Sequence, residues 1–327
     1  MDKIRRRLLR ATAGIGIATA MPWAARAQAW PAKPIRVVVS FPAGGLTDIL
    51  ARAYSEQLSQ KLGQPVVVEN KPGASGAIGA AEVARAAPDG YTFLFTISTT
   101  MNQNRVLYKK LPYDADKDFV YVSGFDAGHL PLAVASGVKV NTMAEYVDLA
   151  RREHVTMGNY GAGSYPHIAA AQINKVYGTK IDPVHYKGEA PMWLDVISGQ
   201  TQAAIGSVAG TLPHIQKGSV RVLAVPTRVR SPKLPEVPTF HEQGFTEPVF
   251  LIAGWIGLLG PAKLPKEIID RVARLTIDAG EGARLKQIYD TFGIAERPTT
   301  PEEFQRLYRT EGPQWIAITR ELGITLD

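Results

Sequence analysis

The stretch Ile35-Arg-Val-Val-Val-Ser-Phe-Pro-Ala-Gly-Gly-Leu-Thr-Asp-Ile49 decides how the rest of the chain is read. Val37, Val38 and Val39 in succession suit a strand covered on both faces, as in a parallel sheet. Pro42-Ala43-Gly44-Gly45 then turns the chain, its two glycines allowing backbone angles closed to other residues and the close approach of a ligand. Thr47 and Asp48 are side chains able to cap a helix. A bend of this kind aims free backbone N–H groups and a helix dipole into one crevice, which suits an anion; it also suits a plain, well-capped turn from strand to helix.

Outward from this stretch, a helix is expected from about Thr47 to Leu62, with Leu50, Tyr54, Leu58 and Leu62 recurring every four residues and Gly63 stopping it. Pro65 to Glu69 reads as a second strand, Lys71 to Gly79 as a glycine-rich turn into a helix, and Thr92 to Ile97 as a third strand. Strand and helix in alternation are the mark of a doubly wound α/β domain. Ser98 and Thr99 follow the third strand, where open α/β sheets bind ligands. Phe119 to Val122 reads as a strand able to cross into another domain.

From about Ala127 the alternation begins afresh, with strands at Leu132 to Ala135 and Val155 to Gly158 and a capping box at Thr142-Met-Ala-Glu145. Phe250 to Leu259 reads as a strand returning to the first domain, followed by helices from Pro265 to Ile288 and from Pro301 to Leu322, the latter behind a capping box at Thr300-Pro-Glu-Glu303. The expected organisation is residues 30–126 with 251–327 as one domain and 127–250 as the other, two doubly wound α/β domains with a cleft at the hinge.

The net charge of +7 invites a nucleic-acid partner, but residues 1–27 hold six basic side chains against Asp2, leaving 31 basic and 29 acidic residues elsewhere. Basic residues do not interleave with aromatics as a nucleic-acid surface requires. The basic N-terminus runs into an apolar stretch from Ala11 to Met21 and then Ala25-Arg26-Ala27, which reads as a signal peptide for export, with Ala27-Gln28-Ala29 as a second cleavage site. Arg5-Arg6-Arg7 is compatible with twin-arginine export. The apolar run is too short to span a membrane. With no cysteine there is no disulfide, thiolate nucleophile or cysteine metal site.

A second glycine-rich loop, Gly161-Ala162-Gly163-Ser164, also follows a strand and opens a helix. Across a cleft from Pro42 to Gly45, it would let backbone donors grip the two ends of an elongated dianion; a glycine-rich turn is the plainer reading. His167, in the first turn of that helix, is a candidate ligand contact or a structural hydrogen-bonding group. Lys187 is a candidate cation for an acidic ligand, or a solvated loop lysine. Asp48 would repel an anion directly, so binding a backbone N–H, holding water or receiving a ligand's donor fits it better. Enzyme patterns fail: Gly161-Ala-Gly-Ser-Tyr-Pro166 breaks the dinucleotide fingerprint, no Walker lysine or G-x-S-x-G elbow is present, and the six histidines never take zinc-hydrolase spacing.

The ordered motifs Phe41-Pro-Ala-Gly-Gly-Leu-Thr-Asp48, Leu62-Gly-Gln-Pro-Val-Val-Val-Glu-Asn-Lys-Pro-Gly73, Pro88-Asp-Gly-Tyr91, Leu111-Pro-Tyr-Asp114, Tyr186-Lys-Gly188, Leu223-Ala-Val225 and Leu234-Pro-Glu-Val-Pro-Thr239 resemble the Bug/TctC family, the extracytoplasmic solute receptors of tripartite tricarboxylate transporters. The resemblance runs from about Trp30 to Leu322. It implies a Venus-flytrap, type II periplasmic-binding-protein fold, a monomer without cofactor or metal that closes on a small mono- or dicarboxylate in the periplasm and delivers it to integral-membrane transporter subunits. By resemblance, the Pro42 to Gly45 loop holds one carboxylate, the Gly161 to Ser164 loop meets the other end, and Ser98 and Thr99 line the cleft. Ala43 replaces the family's usual second proline. Gly206-Ser207 replaces a region where many members carry Asp and a polar partner; loss of an acid that could pair with an amine argues against an amino-acid ligand. The rival functions are a ligand-sensing partner of a membrane signalling protein and a secreted hydrolase using Ser164 with His167.

Overall fold

The computed structural model describes residues 30–252, 254–294 and 297–326; the expected signal peptide lies outside the described residues. The valine-rich opening forms β1 (Ile35–Val39), and the helix after the glycine bend is α1 (Leu46–Leu62). Then come β2 (Val66–Asn70), α2 (Ala77–Ala84), β3 (Thr92–Ile97), two single turns α3 (Ser98–Met101) and α4 (Asn104–Leu107), and β4 (Phe119–Asp126). The second alternation is β5 (Leu132–Ala135), α5 (Met143–Arg152), β6 (Val155–Asn159), α6 (Tyr165–Tyr177), β7 (Ile181–His185), α7 (Glu189–Ile197), β8 (Ala203–Ile205), α8 (Val208–Gln216) and β9 (Val220–Ala224). The chain returns as β10 (Trp255–Pro261) and ends in α9 (Lys266–Gly280), α10 (Ala283–Phe292) and α11 (Pro301–Glu321).

Two five-stranded sheets result, ordered β2-β1-β3-β10-β4 and β7-β6-β8-β5-β9. In each the fourth position is held by a strand antiparallel to its neighbours: β10 against β3 and β4, and β5 against β8 and β9. The two sheets are thus the same design, entered at different points. Helices cover both faces, so the parallel strands carry runs of apolar residues rather than alternation. One face of the first sheet packs Leu50, Tyr54, Phe95 and Phe125 beneath α1 and α9; the other packs Leu94, Trp255, Phe304 and Tyr308.

Three expectations need correction. The returning strand begins at Trp255 and not at Phe250, because Pro248–Phe250 is a short 3-10 turn whose Phe250 stacks on Phe240 at 4.6 Å. The helix expected over 265–288 is two helices, since Gly282 takes extended angles and starts α10 afresh. At Thr142 the hydroxyl accepts from Glu145 N–H as expected, but the Glu145 carboxylate turns back to Asn141 N–H, one residue earlier than a capping box requires. The box at Thr300 is complete.

The last helix is shared between the two sheets. Phe304 and Tyr308 belong to the core of the first, while Trp315 and Ile318 sit in the core of the second. Gly312 and Pro313 lie between these halves, and a proline inside a helix removes one backbone bond where the two halves meet.

Candidate ligand-binding site

Between the sheets lies a cavity of about 200 Å³. Its walls come from the carboxyl ends of the parallel strands: the loop after β1, the turn after β3, and the segments after β6, β7 and β8. Open α/β sheets place ligands there because strand ends and helix N-termini converge.

In the first lobe the wall includes Pro42, Ala43, Gly44 and Gly45, with Ser98 and Thr99 beside them. Gly44 adopts φ +89°, a left-handed angle that suits glycine. Gly45 caps α1 through its backbone alone, with no side chain bonded to the helix start. The N–H groups of Gly45, Leu46 and Thr47 therefore have no protein partner and lie at a cavity wall.

Asp48 does not line the cavity. It is buried, and one carboxylate oxygen accepts from Gly44 N–H and Arg52 Nε, both at 3.0 Å, while the other accepts from Asn70 Nδ2 at 2.8 Å. Burial alone would raise its pKa; the bonds from Arg52, Gly44 and Asn70 overcome this and hold it below the ordinary value. Asp48 thus fixes the shape of the glycine bend from behind.

From the second lobe the cavity receives Lys187 and Ser207. Gly161, Gly163, Ser164 and His167 do not line it. Their loop packs instead on the first lobe: Ser75 Oγ donates to the Ala162 carbonyl at 2.6 Å, and Gly163, at φ +73°, lies so close to Leu107 that an added Cβ would fall 2.2 Å from its Cδ1. Gly163 N–H donates to His167 Nδ1 at 2.9 Å, and the ring meets His185 edge-on with centroids 4.8 Å apart. Ser164 Oγ is buried without a partner, so no nucleophile–base pair exists between Ser164 and His167.

The cavity also contains residues that the sequence did not single out. Tyr160, Tyr165, Gln103, Trp255 and Trp315 line it. The indole N–H groups of Trp255 and Trp315, the Tyr165 hydroxyl and the Gln103 amide oxygen are buried without partners. Glu189, the first residue of α7, also lines the cavity, and its Oε2 accepts from Ser207 N–H at 3.1 Å and Ser207 Oγ at 2.8 Å. Burial raises the Glu189 pKa, against the opposing effect of the Ser207 bonds and of the Trp193 side chain. Burial, then the nearby Glu189 charge, raises Tyr160 well above its ordinary value. An acidic group is therefore present beside Gly206-Ser207 after all, supplied by α7 rather than by β8. The sequence signal was a charged residue directly after Tyr186-Lys-Gly188, but Glu at a helix start is also a favourable partner of the helix dipole, which hid its position.

The family described as tripartite tricarboxylate transporter family receptor matches residues 50–324. The chain belongs to that family. BugT of Bordetella pertussis is 32% identical over 324 residues, covering 97% of this chain and 98% of its own. A structure from R. palustris with adipate is similar at 30% identity and TM-score 0.84, covering 91% of this chain and 100% of its own. MatC from Rhodopseudomonas palustris, with bound malate, is similar at 25% identity and TM-score 0.77, covering 88% and 99%. As a tricarboxylate-transporter receptor the chain is a periplasmic-type solute-binding protein of two α/β lobes, and not an enzyme. No helix among the described residues is long and apolar enough to cross a membrane.

Proposed function

We propose that this receptor works in the periplasm as a monomer, captures a small carboxylate by closing its two lobes, and hands it to membrane subunits of a tripartite transporter. The observation that carries this reading is the start of α1: three backbone N–H groups, unpaired, lie at the wall of an interlobe cavity, on a loop whose own acid, Asp48, is turned away. Carboxylate oxygens accept several such bonds, and charge strengthens each. The adipate and malate found in two similar proteins support the ligand class. Tyr165, Trp255 and Trp315 add buried donors, while Pro42, Ala43, Ser98, Thr99 and Lys187 complete the wall. Gly161 to Ser164 serve closure through the Ser75 contact rather than touching the ligand.

A thermal-shift screen over mono- and dicarboxylates tests this. A ligand that binds only the folded state at a hundred times its Kd adds about 2.7 kcal/mol of stability, so at least one acid should raise the melting temperature. A panel that leaves it unmoved throughout would overturn the proposal.

A further inference from the structure

The cavity wall is not uniformly a donor surface. Glu189, from the second lobe, lines the same cavity as the α1 N-terminus and the indole N–H groups, and its Oε2 takes both Ser207 bonds. Among the described residues no Lys, Arg or His pairs with it. The carboxyl is held by the two Ser207 bonds and sits in space that Gly210 leaves open, since a Cβ there would fall 2.5 Å from Oε2. A carboxyl held at a cavity wall without a cation is costly unless something brought into the cavity completes it. The Gln103 amide oxygen, almost fully buried where the first lobe lines the cavity, is a further acceptor without a donor. A second carboxylate on the ligand would meet the like charge of Glu189, whereas an ammonium would meet an acceptor of opposite charge.

Resting on the carboxylate-receptor reading above, we propose that Glu189 selects a zwitterionic ligand, one carboxylate on the α1 loop and one ammonium on Glu189, over a dicarboxylate. In this scheme the two bonds from Ser207 position the carboxyl at the cavity. Exchanging the ligand's ammonium for a carboxylate replaces attraction by repulsion in a partly dry site, which is the physical origin of the selectivity.

Isothermal titration of the full mature chain with two matched sets tests it: succinate, β-alanine and propionate, and adipate, δ-aminovalerate and valerate. In at least one set the aminocarboxylate should bind more than tenfold tighter than the dicarboxylate and the unsubstituted acid. Glu189→Gln, which keeps size and hydrogen bonding but removes the charge, should cut that advantage by more than tenfold and strengthen the dicarboxylate. A wild-type preference for the dicarboxylate, or a preference that Glu189→Gln leaves unchanged, would overturn the role of Glu189 while leaving carboxylate capture intact. If none of the six acids bound, carboxylate capture itself would fall, and the Glu189 assignment with it. The wild-type comparison needs no substitution, so the outcome does not depend on how well the variant folds.

Discussion

His167 shows how one side chain can look functional in sequence and hold a loop in the fold. Its Nδ1 accepts Gly163 N–H, so the proton that would charge the ring has to displace a backbone bond. Burial, with a smaller push from His185, lowers its pKa from 6.5 to about 4. The unfolded chain therefore takes up this proton first as pH falls. The stability tied to neutral His167 is whole above pH 6.5 and is lost progressively as pH drops toward about 4. His185 is lowered by burial as well and adds to the same slope. In His167→Gln, urea denaturation at several pH values should show a flatter stability profile across that window. A slope identical to that of the wild type would remove His167 from this role. Asp48 has the opposite surroundings and the same kind of task, bracing a glycine loop through its backbone rather than touching the ligand.

At the scale of elements, the contact between the Ser75 turn and the Gly161 loop joins the lobes. Ala74 and Ser75 both take left-handed angles, φ +48° and +51°, which non-glycine residues adopt only where their surroundings hold them. Here the Ser75 carbonyl accepts from Thr100 Oγ1 and Asn104 Nδ2, and Thr100 is linked through Thr96 to Ser40 at the end of β1. The turn is thus built on the same strand ends that form the ligand site. Ser75→Ala removes a bond of about 0.5–1.5 kcal/mol between the lobes. Ligand affinity should fall by roughly two- to tenfold through a larger open population, measured by titration. Unaltered affinity would show that this contact does not bias closure. How much of this was legible depended on range. Strands with runs of valine, helices with periodic leucines and the Thr300 capping box report on neighbours in sequence, and they appear where expected. Glu189 beside Ser207, and Trp255 and Trp315 on one cavity wall, are joined only by tertiary packing, so nothing local marks them. The break at Gly282 was hidden because apolar residues continue on both sides of it.

At the scale of the whole molecule, two sheets of one design face each other across a cavity, joined by the β4 to β5 crossing, the return into β10, and α11 with Pro313 between its halves. Such a body closes on a ligand only to the extent that the ligand binds the closed form better. The free N–H groups at the start of α1 would be the source of that preference. Position 46 allows one of them to be deleted cleanly: proline is at home at the first position of a helix, and Gly45 before it, at φ −81° and ψ 170°, already has the extended angles that proline demands. The decisive measurement is the affinity of Leu46→Pro against Leu46→Ala for the tightest carboxylate found in the thermal screen. Both lose the leucine side chain, and only the proline variant loses the N–H. A charge-assisted bond contributes about 1.5–3 kcal/mol, so the proline variant should bind at least tenfold more weakly while melting close to the alanine variant. Equal affinities in the two variants would contradict the carboxylate site at the α1 N-terminus.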